Sequence, residues 1–250
     1  MSFDLRLDEV LVKNHISTAR RVRRLLQTHK VEVNGLQVFQ GGVKVNVWRD
    51  DVFIDGKKAR ILPDLYFMMN KAGGFVCSSL EGDERSIFEG FDSSVLFPEG
   101  LGPLHSVGRL DMDTEGLLIL TTDGDFSHLL TDPKSHVTKT YLVTLRDEVD
   151  EGDWKLYKAK VKEGIFVPRE KTEPSFTAKS AVLEPIDSRC CHLTVTEGKF
   201  HQVKRMFLAL GNEVTALKRI SMGGLSLDPE LKPGTYRKLD EDELCLLRGF

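Results

Sequence analysis

The first sixty residues combine a helical and a strand-like spacing of apolar positions. Residues 7–13 are expected to form a short helix, and Ser17 or Thr18 can cap a second one. The apolar residues that recur at helical spacing in this second helix, and should face a small core, are Ala19, Val22, Leu25 and Leu26.

Strand-like alternation follows the two helices. Valines alternate in 31–33 and in 43–47, and the pairs Asn34-Gly35 and Asp55-Gly56 are typical of tight hairpin turns. We therefore predict a small β-hairpin structure behind two helices. A linker is expected near 57–64, where a charged stretch ends in Leu62-Pro63-Asp64.

The rest of the chain mixes strand-like and helix-like segments without a regular alternation. The predicted strands are 66–69, 117–121, 141–145, 181–183 and 193–196. The predicted helices are 126–130 and a segment from about 201 to 210. This order favours an α+β sheet domain over a doubly wound one.

Composition narrows the class of protein. The longest aliphatic run, 117–120, is far short of the roughly 20 residues that span a bilayer, and the N-terminal sequence lacks a leader pattern. We expect a cytoplasmic protein with no membrane partner. The four cysteines form no CxxC pair, so neither a disulfide framework nor a zinc site is predicted.

The net charge of -3 is unevenly distributed. Residues 1–60 contain 12 Lys/Arg and 7 Asp/Glu, a balance of +5, and the remaining residues therefore carry -8. The most basic stretch contains Arg20, Arg21, Arg23 and Arg24. These arginines are either a solvated helix face or the contact surface for a polyanion.

Three carboxylates at alternate positions, Asp111, Asp113 and Glu115, lie in the sequence GRLDMDTEG. A calcium loop is excluded, because its twelfth position should be a bidentate Glu and is Thr122. A glycosidase pair is disfavoured, because its two carboxyls usually come from different strands. A polar loop before a buried strand remains the simplest structural alternative.

The N-terminal segment 4–57 resembles the small RNA-binding module named after the fourth protein of the small ribosomal subunit. The matching segments are Arg6-Leu7-Asp8, Ser17 to Arg21 and Val31 to Gly35. The chain departs from that pattern at His15-Ile16, where a glycine is common. The resemblance implies that Arg20, Arg21, Arg23 and Arg24 bind RNA.

Three separated motifs resemble those of pseudouridine synthases of the RsuA family. They are Gly108 to Asp111, Lys139-Thr140-Tyr141, and Glu197 to Met206, in the order and spacing of that family. The resemblance covers nearly the whole chain and implies an N-terminal RNA-binding domain, 1–60, and a mainly antiparallel catalytic domain, 61–250.

The resemblance also implies roles for single residues. Asp111 is the expected catalytic aspartate, Tyr141 is expected to stack on or orient the target base, and Lys204 to pair with the aspartate. Arg109 is expected to displace or hold the target nucleotide, and Arg205 to bind RNA. Asp113 and Glu115 are then expected only to shape the loop.

Isomerisation of uridine adds and removes nothing overall, so we expect no cofactor and no metal. The expected substrate is small-subunit ribosomal RNA or an assembling small subunit, not DNA, and the expected oligomeric state is a monomer. The motif 70–78 departs from the family at Ala72, where a proline is usual. Two alternatives stay open: a large-subunit RNA substrate, and a noncatalytic RNA-binding assembly protein with the same fold.

Overall fold

The computed structural model describes residues 4–78, 85–170 and 173–248. Its helices are α1 (Leu7–Lys13), α2 (Val22–Thr28), α3 (Ser93–Leu96), α4 (Gly124–Thr131), α5 (Glu151–Glu163), α6 (Gln202–Ala209) and α7 (Glu241–Arg248). Its strands are β1 (Asp4–Arg6), β2 (Val31–Val33), β3 (Leu36–Val38), β4 (Lys44–Asn46), β5 (Val52–Ile54), β6 (Lys57–Lys58), β7 (Tyr66–Lys71), β8 (His105–Ser106), β9 (Glu115–Thr121), β10 (Lys139–Leu145), β11 (Phe166–Val167), β12 (Phe176–Thr177), β13 (Val182–Pro185), β14 (Cys190–Val195), β15 (Val214–Met222), β16 (Leu225–Ser226) and β17 (Tyr236–Lys238). Within the described ranges, no helix is long and apolar enough to cross a membrane.

The chain divides into two compact units. The first contains Met1–Leu65 and Asp92–Leu104, and the second contains Tyr66–Phe91 and His105–Phe250. The predicted domains differ from these units mainly in segment 92–104, and their limits stay a prediction. Regular structure also extends into the predicted linker, because β6 begins at Lys57 and pairs with β5.

One core of the first unit is built from helices α1 and α2 and from strands β2, β4 and β5. Its most deeply buried residues are Leu7, Leu11, Leu26, Val31, Val45 and Val52. The first helix has the predicted limits. Both predicted hairpin turns have positive φ angles, at Asn34-Gly35 and at Asp55-Gly56, as a type I′ turn requires.

The second helix begins later than predicted. The Thr18 carbonyl accepts hydrogen bonds from the Arg21 amide at 2.9 Å and the Val22 amide at 2.8 Å, so a turn precedes α2. Arg21 occupies the N-cap position without a side-chain cap, and Ala19 is exposed. The prediction of a Ser17 or Thr18 cap, and of Ala19 in the core, was therefore wrong.

The second unit is organised around one large sheet. Its main strand order is β13-β14-β10-β15-β9-β7-β17, with β16 beside β15 and β8 beside β9. Every pair in this sheet is antiparallel except β9 with β15. The predicted mixed, mainly antiparallel α+β architecture is confirmed.

The inner strands explain why the sheet forms where it does. All six residues of β7 are buried, as are residues 116–121 of β9. Continuous apolar runs of this kind suit strands that are covered on both faces. β10 instead alternates buried and half-buried residues, and it lies between β14 and β15. The loop before β9, strand β10, and the turn between β14 and α6 with the start of α6 carry the residues of the site.

Candidate active site

Asp111 lies in the loop that connects β8 to β9. The Thr114 amide donates to the Asp111 carbonyl at 3.1 Å, which closes a turn immediately after the aspartate. Gly116 ends the loop with φ +95°, and a Cβ at this position would lie 2.3 Å from the Arg219 carbonyl oxygen. Because only glycine permits this close approach of two strands, the loop enters the sheet at a fixed point.

Lys71, at the end of β7, attaches the Asp111 loop to the sheet. Its side chain is fully buried. Its Nζ donates to the carbonyls of Thr114 at 2.8 Å, Met112 at 3.0 Å and Ala72 at 3.1 Å. Burial lowers the pKa of Lys71, and nearby acidic groups partly offset this effect. Sequence analysis assigned Lys71 no role, although a lysine that ends an otherwise buried strand was a usable signal.

Lys204 joins the Asp111 loop to α6. Its Nζ lies 3.1 Å from Asp111 Oδ2 and 2.5 Å from Asp113 Oδ1. Burial alone would lower the pKa of Lys204, but the hydrogen bonds and charges of the two carboxylates raise it. The lysine is therefore a stable cation between two acids.

Exposure distinguishes the two carboxylates. The Asp111 side chain is 27% exposed, and the Asp113 side chain is 70% exposed. Burial opposes ionisation of Asp113, but the hydrogen bond and charge of Lys204 outweigh it and hold the pKa of Asp113 below its ordinary range. Asp113 thus does more than shape the loop, because it shares the cation that faces Asp111.

His201 approaches Asp111 from the other side. Its Nε2 lies 3.8 Å from Asp111 Oδ1. The residue sits at the N-cap of α6 with a left-handed backbone, φ 47°. Such a conformation is uncommon for a residue other than glycine and often marks a functional site.

Tyr141 is placed by the sheet beside these charged residues. It lies on β10, opposite Leu193 of β14 and Arg219 of β15, and is 9% exposed. Together with Val195 and Leu217 it lines the same cleft as Asp111 and Lys204. The structure thus brings the three residues predicted from separate motifs into one cleft.

The cleft has a volume of about 830 Å³, which is within the range of small-molecule sites. Arg109 lines it and is exposed. The apolar and aromatic lining of the cleft can hold a planar base, while Asp111 and Lys204 supply charge. The described residues contain no group of three or more His, Cys, Asp or Glu side chains arranged to hold a metal ion.

Arg205 has a different environment from the one predicted. Its side chain is buried, and its Nη2 donates to the carbonyls of Pro168 and Pro174, both at 2.8 Å. The guanidinium also lies 4.8 Å from the centre of the Phe176 ring. Because its side chain is buried and these contacts occupy it, Arg205 is not part of an exposed RNA-binding surface.

Comparison with known proteins adds the decisive observation. Residues 65–209, more than half of the chain, match the family described as RNA pseudouridylate synthase. The chain belongs to this family. The matched region of this pseudouridylate synthase contains Asp111, Tyr141 and Lys204, and the predicted resemblance to RsuA-type enzymes is confirmed.

Relatives of this pseudouridylate synthase match along nearly the whole chain. This chain is 42% identical to the ribosomal small subunit pseudouridine synthase A of Haemophilus influenzae, over 96% of this chain and 98% of the relative. It is 36% identical to the protein of the same name in Escherichia coli K12, over 96% of this chain and 99% of the relative. A pseudouridylate synthase of known crystal structure shares 41% sequence identity with this chain. The two structures superpose with a TM-score of 0.65, over 97% of this chain and 99% of that one.

Proposed function

We propose that the protein converts a uridine of small-subunit ribosomal RNA to pseudouridine, with Asp111 as the catalytic carboxylate. The names of the relatives from Haemophilus influenzae and Escherichia coli support this choice of substrate. The observation that carries the assignment of Asp111 is its ion pair with Lys204, at 3.1 Å, in the cleft that Tyr141 lines.

The reaction breaks the bond between N1 of uracil and C1′ of ribose, turns the base and joins C5 to C1′. The proton on C5 is lost and a proton is returned to N1, so atoms and electrons balance. Asp111 acts as a nucleophile or a general base toward the ribose or the uracil ring. Lys204 orients the Asp111 side chain and places a positive charge 3.1 Å from its Oδ2.

Tyr141 and Arg109 handle the base itself. A uridine in a stacked or paired region must leave its stack before Asp111 can reach it. The Tyr141 ring offers the displaced uracil a stacking surface within the cleft. Arg109, an exposed residue of the cleft lining, holds the displaced nucleotide or fills the space it leaves.

RNA docking is assigned to the N-terminal segment 4–57. Arg20, Arg21, Arg23 and Arg24 are all exposed, while the apolar residues of α2 face the core. Exposed arginine side chains can donate hydrogen bonds to phosphate groups. In this proposal the protein acts as a monomer in the cytoplasm, on free small-subunit RNA or on an assembling subunit.

Mapping pseudouridine in ribosomal RNA from cells with and without this protein tests the proposal. Loss of one pseudouridine in small-subunit RNA, restored by the wild-type gene and not by an Asp111→Asn gene, is the expected result. Loss of a site in large-subunit RNA would make that RNA the substrate instead. An unchanged map, with assembly defects that Asp111→Asn still corrects, would favour the noncatalytic assembly protein.

A further inference from the structure

Phe200 has a position that core packing does not explain. It lies in the turn between β14 and α6, lines the cleft, and is 52% exposed. Met112 is the other large apolar side chain that is both exposed and part of the cleft lining in the described residues. Aromatic side chains are enriched in binding interfaces, and this ring lies in the cleft beside charged residues.

The turn that carries Phe200 is held by buried hydrogen bonds. Gln202 Nε2 donates to Glu197 Oε1 at 2.9 Å, and the Lys199 amide donates to Gln202 Oε1 at 2.9 Å. Glu197 also accepts a hydrogen bond from the Lys179 amide at 2.8 Å. Since Glu197 and Gln202 are both buried, the turn presents the Phe200 ring from a firmly supported position.

The ring is stacked on one of its faces. Phe200 and His201 lie with ring centroids 3.8 Å apart and planes inclined by 18°. His201 in turn approaches Asp111, with Nε2 at 3.8 Å from Oδ1. The exposed part of Phe200 is therefore available to continue this stack with one more planar group.

We propose that Phe200 stacks on an unpaired base adjacent to the target uridine, while the uridine itself lies against Tyr141. The inference rests on the proposed function, since it requires an RNA substrate with a displaced nucleotide. Tyr141 is 9% exposed within the cleft, and Phe200 is far more exposed, so the two rings suit an enclosed base and a flanking base, respectively. Displacing a nucleotide leaves its neighbour without a stacking partner, and an aromatic side chain can replace it.

The test uses the full-length protein and a fragment of small-subunit RNA that contains the mapped uridine, with 2-aminopurine at a flanking position. Tritium release by the wild-type protein, from a fragment that is labelled at C5 of uridine and lacks 2-aminopurine, first establishes the proposed function independently. Two variants, Phe200→Ala and Phe200→Leu, remove the aromatic face, and Phe200→Trp retains it. Phe166→Ala is the matched control, because Phe166 is 64% exposed in the same unit and does not line the cleft.

We expect wild-type protein, Phe200→Trp and Phe166→Ala to quench 2-aminopurine fluorescence on binding. Phe200→Ala and Phe200→Leu should lose this quenching and bind roughly tenfold more weakly, as expected from the loss of one base–aromatic stack. Unchanged quenching and affinity in both, with an active wild type, would overturn the inference. A fall in the single-turnover rate alone would also overturn it, because Phe200 would then act only through His201.

Discussion

At the scale of single residues, one lysine faces two carboxylates whose surroundings differ. Lys204 contacts both Asp111 and Asp113, but Asp111 is the more enclosed and also approaches His201. An enclosed carboxylate in a cleft is protected from competing water, so its charge acts more strongly on a bound substrate. In the proposed function Asp113 therefore supports Lys204, and Asp111 is the reacting group.

Lys71 tests whether the position of the Asp111 loop matters. Lys71→Met should leave the carbonyls of Ala72, Met112 and Thr114 without this donor. We expect a loss of about 2 kcal/mol in the free energy of unfolding and a lower single-turnover rate, because the loop is less well held. Chemical denaturation and tritium release measure the two effects.

Lys158→Met is the control for Lys71→Met, because Lys158 is exposed on α5. It should change neither quantity. If Lys71→Met lost stability but kept the full chemical rate, Lys71 would support the fold without positioning the catalytic loop.

Lys139 gives a pH prediction. Burial, together with the charge of Arg219, lowers its pKa to about 8 from an ordinary value of 10.5. Between these two values the unfolded chain binds more protons than the folded protein, so the contribution of Lys139 to stability rises with pH. Below pH 8 Lys139 is protonated in the folded protein, and the unfavourable free energy of burying its charge is fully present.

Lys139→Met should therefore lose stability relative to wild type as the pH rises from 8 to 10.5, since only the wild type gains from deprotonation. Chemical denaturation of both proteins at pH 7, 9 and 10 measures the difference. A difference that stays constant with pH would show that Lys139 titrates normally in the folded protein.

Sequence patterns identified residues that line one cleft, but not all of the contacts between them. Asp111, Tyr141 and Lys204 were selected from three separate motifs, and the structure places them in one cleft. The contact of Asp113 with Lys204 depends on the course of a loop, and the burial of Arg205 depends on the segment around Pro168 and Pro174. Neither has a local sequence signature.

At the scale of elements, short amphipathic or fully apolar segments were predictable. Strands β7, β9, β10, β13 and β14 lie at predicted places. Sequence analysis missed α5, although Trp154, Tyr157 and Val161 lie on one helical face and Asp150 caps its first turn. It also missed β15. Polar residues, among them the buried Arg219, interrupt the apolar pattern of this strand. Tertiary packing overrides the local pattern there.

The α2 region supplies a prediction about RNA docking. Arg21→Ala combined with Arg24→Ala should weaken RNA binding and flatten the dependence of log affinity on log salt, by roughly 0.7 to 0.9 per lost phosphate contact. KM should rise while kcat stays nearly unchanged, because binding away from the reacting base is lost equally from ground and transition states. Filter binding at several salt concentrations and steady-state kinetics measure both effects.

Lys158→Ala combined with Lys160→Ala is a control of equal charge change, on the exposed face of α5. An equal effect on the salt dependence would mean that net charge, not the α2 region, attracts the RNA. A large fall in the chemical rate with unchanged affinity would rule out a docking role for Arg21 and Arg24.

At the scale of the whole molecule, charge and chemistry are separated along the chain. Residues 1–60 carry +5 and residues 61–250 carry -8, and every residue that lines the candidate cleft lies in the acidic part. Long-range attraction of RNA is therefore expected from the N-terminal segment. In the proposed function, recognition of the uridine then depends on short-range contacts with Asp111, Tyr141 and Arg109.

The identity of the catalytic carboxylate is tested most directly by single-turnover tritium release from RNA labelled at C5 of uridine. The comparison is between Asp111→Asn and Asp113→Asn, at enzyme concentrations that saturate the RNA. Asp111→Asn should reduce the rate by more than about a thousandfold while RNA affinity is retained, and Asp113→Asn should stay within about tenfold of wild type. Equal loss of activity in both variants, or a greater loss in Asp113→Asn, would contradict the assignment of Asp111.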